Sequence, residues 1–126
     1  MEGKLGEGTF SRVYKCRSVT TEAEVAIKVI IARKRYKEAA FVELNTLIAL
    51  HAMTPDMQTH VVEPLDWFMV GKKHVCVVFP CLGNSLMEEL IQRNFQPFAV
   101  EHVRVVAWQS LCALAGAQLL LLCCQA

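Results

Sequence analysis

Leu5-Gly6-Glu7-Gly8-Thr9-Phe10-Ser11-Arg12-Val13 is the stretch on which the fold of this chain turns. Two glycines one residue apart permit a sharp reversal with no Cβ to hold a ligand away. Val13 follows where a strand returning beneath the loop would lie. Taken alone the pattern reads two ways, as a loop lying over phosphates or as a turn that uses glycine for backbone freedom only. The residues that follow decide between them.

Arg12 to Arg17 reads as a strand, and Ser18 to Glu22 as a polar turn. Glu24 to Ile31 then alternates, placing Val25, Ile27, Val29 and Ile31 on one face and Ala26, Lys28 and Ile30 on the other, the pattern of a β-branched strand. Lys28 is thus a cation on an otherwise apolar face. Either its stem packs while the amine reaches water, or the ammonium meets a carboxylate or phosphate. From Arg33 to Met53 the period is helical, with Tyr36, Ala40, Leu44, Leu47, Ile48 and His51 in one stripe. Glu43 falls inside that stripe, and Lys28 one element earlier is the cation that would accommodate it. Glu38 reads as part of a solvated face.

His51 to His60, with Pro55, reads as a loop, and its two histidines have no cysteine neighbours to make a metal site. Val61 to Met69 and His74 to Phe79 are apolar runs joined by Val70-Gly71-Lys72-Lys73, which reads as a hairpin. Pro80 and Gly83 end the last strand abruptly, leaving backbone groups beside a sheet edge that could pair with a flat heterocycle or with water. A helix begins at Ser85, with Leu86, Met87, Leu90 and Ile91 on its apolar side. Pro97 separates it from a longer one near Ala99, whose stripe is Val100, Val103, Ala107, Leu111 and Leu114.

The totals restrict the rest. A chain of 126 residues is one domain at most, and 13 Lys plus Arg against 12 Asp plus Glu gives a formal charge of +1. No bulk charge argues for nucleic acid, and Arg33, Lys34, Arg35 and Lys37 read as a solvated helix face. Six cysteines without a C-x-x-C pair, and a start without an apolar signal, lead us to expect an intracellular protein with reduced thiols.

The glycine loop with its following valine, Val25-Ala26-Ile27-Lys28, and Glu43 on the next helix together resemble the ATP-site set of protein kinases. The likeness is closer still to the CDC-like, or LAMMER, dual-specificity kinases. It is carried by Arg35-Tyr36-Lys37-Glu38-Ala39-Ala40, Leu65-Asp66-Trp67-Phe68, Val77-Val78-Phe79, Leu82-Gly83, Phe95-Gln96-Pro97-Phe98 and His102-Val103-Arg104, and runs from about Lys4 to about Leu114. The resemblance implies an α+β fold: an upper lobe of a five-stranded antiparallel sheet and one helix through the hinge at residues 1–83, two helices of an incomplete lower lobe at 84–114, and an unmatched apolar tail at 115–126. It implies an ATP site of Leu5, Gly6, Glu7, Gly8, Thr9, Phe10, Ser11 and Val13 in the loop and its strands, with Ala26, Lys28 and Glu43. Lys28 would contact the α and β phosphates and Glu43 would hold Lys28. The Pro80 carbonyl and Leu82 amide would hold adenine behind Phe79. The family phosphorylates serine/arginine-rich splicing factors, in nucleus or cytoplasm. Ser11 stands for the third loop glycine, and Pro80 where the family usually has an acid.

The last aspartate of the chain is Asp66 and the last asparagine Asn94. No residue after the hinge can therefore be the base Asp, the metal-binding Asn or the Asp that grips Mg²⁺. We expect no catalytic residue, no Mg²⁺ ligand, weak ATP binding and no phosphotransfer from this polypeptide alone, the alternative being a non-catalytic nucleotide-binding or partner-competing protein. Val105 to Ala126 carries no charge over 22 residues. That length could span a bilayer, but Gln109, Ser110, Gly116 and Gln118 interrupt it, and its first half matches a lower-lobe helix. A membrane tether is the disfavoured reading, and self-association through exposed apolar surface the expected hazard.

Overall fold

The structure, a computed structural model describing residues 3–53 and 60–124, contains β1 (Gly3–Glu7), β2 (Ser11–Arg17), β3 (Glu24–Ile30), α1 (Lys34–Met53), β4 (Asp66–Val70), β5 (His74–Pro80), α2 (Leu86–Gln92) and α3 (Val100–Cys124). The strands make one five-stranded antiparallel sheet in the order β1-β2-β3-β5-β4. This is the sheet the resemblance implied, with α1 entering between β3 and β4 in sequence.

Residues directly opposite one another in a sheet share a face. Val13 lies opposite Lys28, Lys28 opposite Val77, and Val77 opposite Trp67, so one row crosses four strands. Ile30 is two residues along β3 on the same face, and α1 packs there. The core is Ile30, Ala40, Leu44, Val75 and Val77, with Tyr36, Phe41 and Phe79 against it. Phe41 and Trp67 meet edge to face at 5.4 Å. Lys28 therefore sits in the row that borders the core, held there by register.

The β4–β5 hairpin turns as the sequence suggested, with Gly71 and Lys72 both at φ +56°. Lys37 Nζ donates to the Lys72 carbonyl at 3.0 Å, fastening this turn to the first turns of α1.

Three expectations need correction. The strand expected over Val61–Met69 exists only as Asp66–Val70, because Pro64 has no N–H for a ladder; Leu65 is the first to pair, its N–H donating to Val78 O at 2.8 Å. In α1 the buried stripe rotates past Ile48, which is 48% exposed, onto Leu50, at 4%. In α3 the expected stripe points outward, with Val100, Val103, Leu111 and Leu114 all more than half exposed. The half-buried positions are instead Val106, Cys112, Ala113, Gly116 and Ala117. Small residues let two helices approach closely: a Cβ on Gly116 would lie 3.3 Å from Leu50 Cδ1. The apolar side of α2 is likewise open at Leu86, Met87 and Ile91.

Ser85 caps α2 with a reciprocal box, its hydroxyl accepting from Glu88 N and its own N–H donating to Glu88 Oε2. α3 continues without a break through position 114, where the resemblance ended. Among the described residues no helix is long and apolar enough to cross a membrane. The loop at 54–59 and the side chains from Leu119 onward, which include the leucine-cysteine run, lie outside the described residues.

Candidate functional site

The glycine loop is a hairpin whose two sides are tied at several points. β1 pairs Lys4 with Tyr14, slips register, then pairs Gly6 with Val13 and Glu7 with Arg12. The Gly8 N–H donates to Ser11 O at 2.9 Å and closes the turn. Glu7 accepts from Lys4 Nζ at 2.6 Å and Arg12 Nε at 2.7 Å, and these hydrogen bonds, Lys4 first, lower its pKa from 4.5 to about 2. The loop's one acid is thus neutralised on its own hairpin. It adds little repulsion toward an anionic ligand.

Phe10, at the tip, is 56% exposed, yet its ring stands edge-on to Tyr36 of α1 at 4.9 Å and its carbonyl accepts from Ile31 N at 3.0 Å. The loop tip is therefore anchored to the end of β3 and the start of α1. Spacing could not reveal this contact, since the two rings lie in separate elements. Tyr36 Oη accepts from Arg35 Nη2 at 2.7 Å, and the Arg33 and Arg35 guanidinium carbons lie 5.8 and 4.7 Å from the ring centroid.

Beneath the loop, Lys28 Nζ and Glu43 Oε1 are 2.6 Å apart. This resolves both questions left open by the alternation: the cation on the apolar face has its carboxylate, and the carboxylate in the stripe has its cation. The pair is partly wet, with the Lys28 side chain 25% and the Glu43 side chain 50% exposed. Lys28 and Glu43, with Phe10, Ser11 and Tyr36, line a cavity of about 220 Å³. Ligand clefts hold about 300–1,000 Å³, so this space has room for a small polar group only and opens toward the neighbouring strand end.

At that strand end Ala26 lies opposite Phe79 and Val25 opposite Pro80, after which the chain leaves the sheet. Leu5 and Leu82 are 54% and 71% exposed apolar side chains. Val13 shares the Lys28 row, and Gly6 lies opposite Val13 on β1. The fold thus gathers Phe10, Ser11, Lys28 and Glu43 around one cavity, keeps Val13 beside it in the Lys28 row, and sets Ala26, Phe79, Pro80 and Leu82 along the neighbouring strand end; Gly8 and Thr9 lie in the loop turn. Among the described residues no three His, Cys, Asp or Glu side chains could hold a metal ion.

Residues 1–116 match the protein kinase domain family. The chain is 39% identical over 106 residues to human dual specificity protein kinase CLK2, across 83% of this chain and 21% of that one. It is 37% identical over 105 residues to serine/threonine-protein kinase Doa of Drosophila melanogaster, across 83% of this chain and 12% of that one. To serine/threonine-protein kinase AFC2 of Arabidopsis thaliana the identity is 35% over 108 residues, across 86% and 25%. A crystallographic kinase domain superposes with a TM-score of 0.78 at 29% identity, over 92% of this chain and 33% of that one. The chain therefore spans a quarter or less of these curated relatives.

Proposed function

Because this chain belongs to the protein kinase family, with LAMMER-type dual-specificity kinases among its relatives, we propose that it supplies the nucleotide-holding half of such a kinase. Kinases of this fold use ATP and Mg²⁺. The observation that carries the reading is the 2.6 Å Lys28–Glu43 pair set beneath a glycine hairpin. An ammonium held by one carboxylate keeps donors to spare for phosphate oxygens, and the hairpin puts glycine backbone above them. Leu5, Val13 and Ala26 would cover one face of the adenine, with Phe79 at its back and the Pro80 carbonyl and Leu82 amide at its edge. Residues 1–83 would act as upper lobe and hinge, and 84–114 as the first lower-lobe helices.

The 126 residues do not fit the metal. No Asp follows Asp66, so these residues offer none of the aspartates that hold Mg²⁺ in a kinase lower lobe. Expressed by itself, the chain binds ATP weakly and transfers nothing to a serine/arginine-rich peptide, the substrate class the resemblance suggests, and it works inside the cell. Thermal unfolding with millimolar ATP tests this: the wild type should gain stability and Lys28→Ala should not. Equal shifts in both proteins, or none in either, overturn the nucleotide reading. The open apolar sides of α2 and α3 favour one second reading, a non-catalytic chain that competes for a kinase's partners; ATP-independent binding to those partners would support it.

A further inference from the structure

The first turn of α1 contains no acid, although Arg33, Lys34 and Arg35 bring three cations to it. Cations at a helix N-terminus oppose the macrodipole and repel each other. Lys34 meets Glu38 at 4.0 Å, largely in water. Two guanidiniums meanwhile turn toward the half-buried Tyr36, one of them bonded to its phenol oxygen at the surface.

We infer that Tyr36 is a phosphorylation site whose phosphate is received by Arg33 and Arg35 and whose state is passed to the glycine loop through the Phe10 ring. Transfer from ATP, by a tyrosine-phosphorylating kinase, forms a bond between the Tyr36 phenol oxygen and the γ-phosphorus. The bond from that phosphorus to the β,γ-bridging oxygen breaks, ADP leaves with the electron pair, and the phenol proton goes to that kinase's base. The product adds about −1.5 to −2 charge and three acceptor oxygens where donors already converge. Arg35 already favours negative charge on that oxygen, since its hydrogen bond lowers the Tyr36 pKa. The ring contact at 4.9 Å means that whatever fixes the phenol also fixes the loop tip. Phosphate capture needs no bound nucleotide, so only the effect on the loop's task rests on the nucleotide reading.

The chain has two tyrosines, Tyr14 and Tyr36, which makes the test clean. The whole chain is treated with a broad-specificity tyrosine kinase and ATP, mapped by mass spectrometry, and melted without nucleotide. Phosphate should appear on Tyr36 in wild type and Tyr14→Phe, and raise the melting temperature by about 3–5 °C. In Arg33→Gln/Arg35→Gln that rise should vanish. Should the double variant fail to fold, phosphorus NMR decides instead: the phosphate's second ionisation in the folded wild type should fall below its value in urea. Modification confined to Tyr14, an unchanged or lowered melting temperature, a rise that survives in the Gln variant, or an ionisation no lower than in urea overturns the proposal. Loss of the ATP thermal shift with the phosphate effect intact would sink the nucleotide reading and leave this one standing.

Discussion

Replacing Lys28 with Met and Glu43 with Gln, singly and together, measures what the ion pair contributes to the fold, and its partly wet setting fixes the size. Two unit charges 4 Å apart would attract by about 4 kcal/mol at an effective dielectric of 20, and solvent-exposed pairs retain about 0.2–1 kcal/mol. At 2.6 Å with side chains 25% and 50% exposed, the pair falls between those limits, and we expect a coupling energy of about 1 kcal/mol. The two single changes should differ. Lys28→Met leaves Glu43 free to turn into water, whereas Glu43→Gln leaves a three-quarters covered ammonium with only an amide to meet. Glu43→Gln should therefore destabilise by about 1–2 kcal/mol and Lys28→Met by less. Urea unfolding followed by circular dichroism on the four proteins gives the cycle, and repeating it in high salt should shrink the coupling without removing it. A coupling above about 3 kcal/mol would mean the pair is dry. Finding Lys28→Met the costlier change would reverse the exposure argument.

Glu7 has a folded-state pKa of about 2 against an ordinary 4.5, so its charge stabilises the hairpin above the ordinary carboxylate range, and that contribution fades as pH falls through about 2. Side-chain NMR should show the low midpoint, with a concerted response of the Gly8 and Ser11 amides that Glu7→Gln lacks; a midpoint near 4.5 would mean the Lys4 and Arg12 bonds do not persist in solution. Ser85→Ala removes the hydroxyl that accepts from Glu88 N and leaves the backbone half of the α2 cap in place, and should destabilise by about 1 kcal/mol in chemical unfolding, while Ser85→Asp, which keeps the acceptor, should lose little; equal losses would assign the effect to something other than the cap.

Where local pattern and global packing agree, as in β2, β3 and β5, the sequence was readable. β-branched alternation dictates a strand, and only one register puts Val13, Lys28 and Val77 in a row on the face α1 covers. Lys28 and Glu43 were readable together because each is anomalous in its own element and each is the other's remedy. β4 starts later than its apolar run suggests, since apolar content does not restore the amide that Pro64 lacks. α3 failed for a different reason: with apolar residues at Val105, Val106, Trp108, Leu111, Cys112, Ala113 and Leu114, nearly every face qualifies as a stripe. Which face is covered then depends on where backbones can approach, and Gly116 beside Leu50 marks that place.

The contact that sequence could not supply is the one that ties the site together. Phe10 belongs to the loop and Tyr36 to the helix that carries Glu43, so the ring pair at 4.9 Å and the ion pair at 2.6 Å join the same two elements, one at the loop tip and one beneath it. A displacement of α1 cannot break the ion pair without also dragging on the loop tip, because Tyr36 and Glu43 are two helical turns apart on one rigid element. Phe10 limits where the hairpin tip can rest. Loop position and lysine position are thus coupled through α1 rather than set separately, and any group that acts on Tyr36 acts on both.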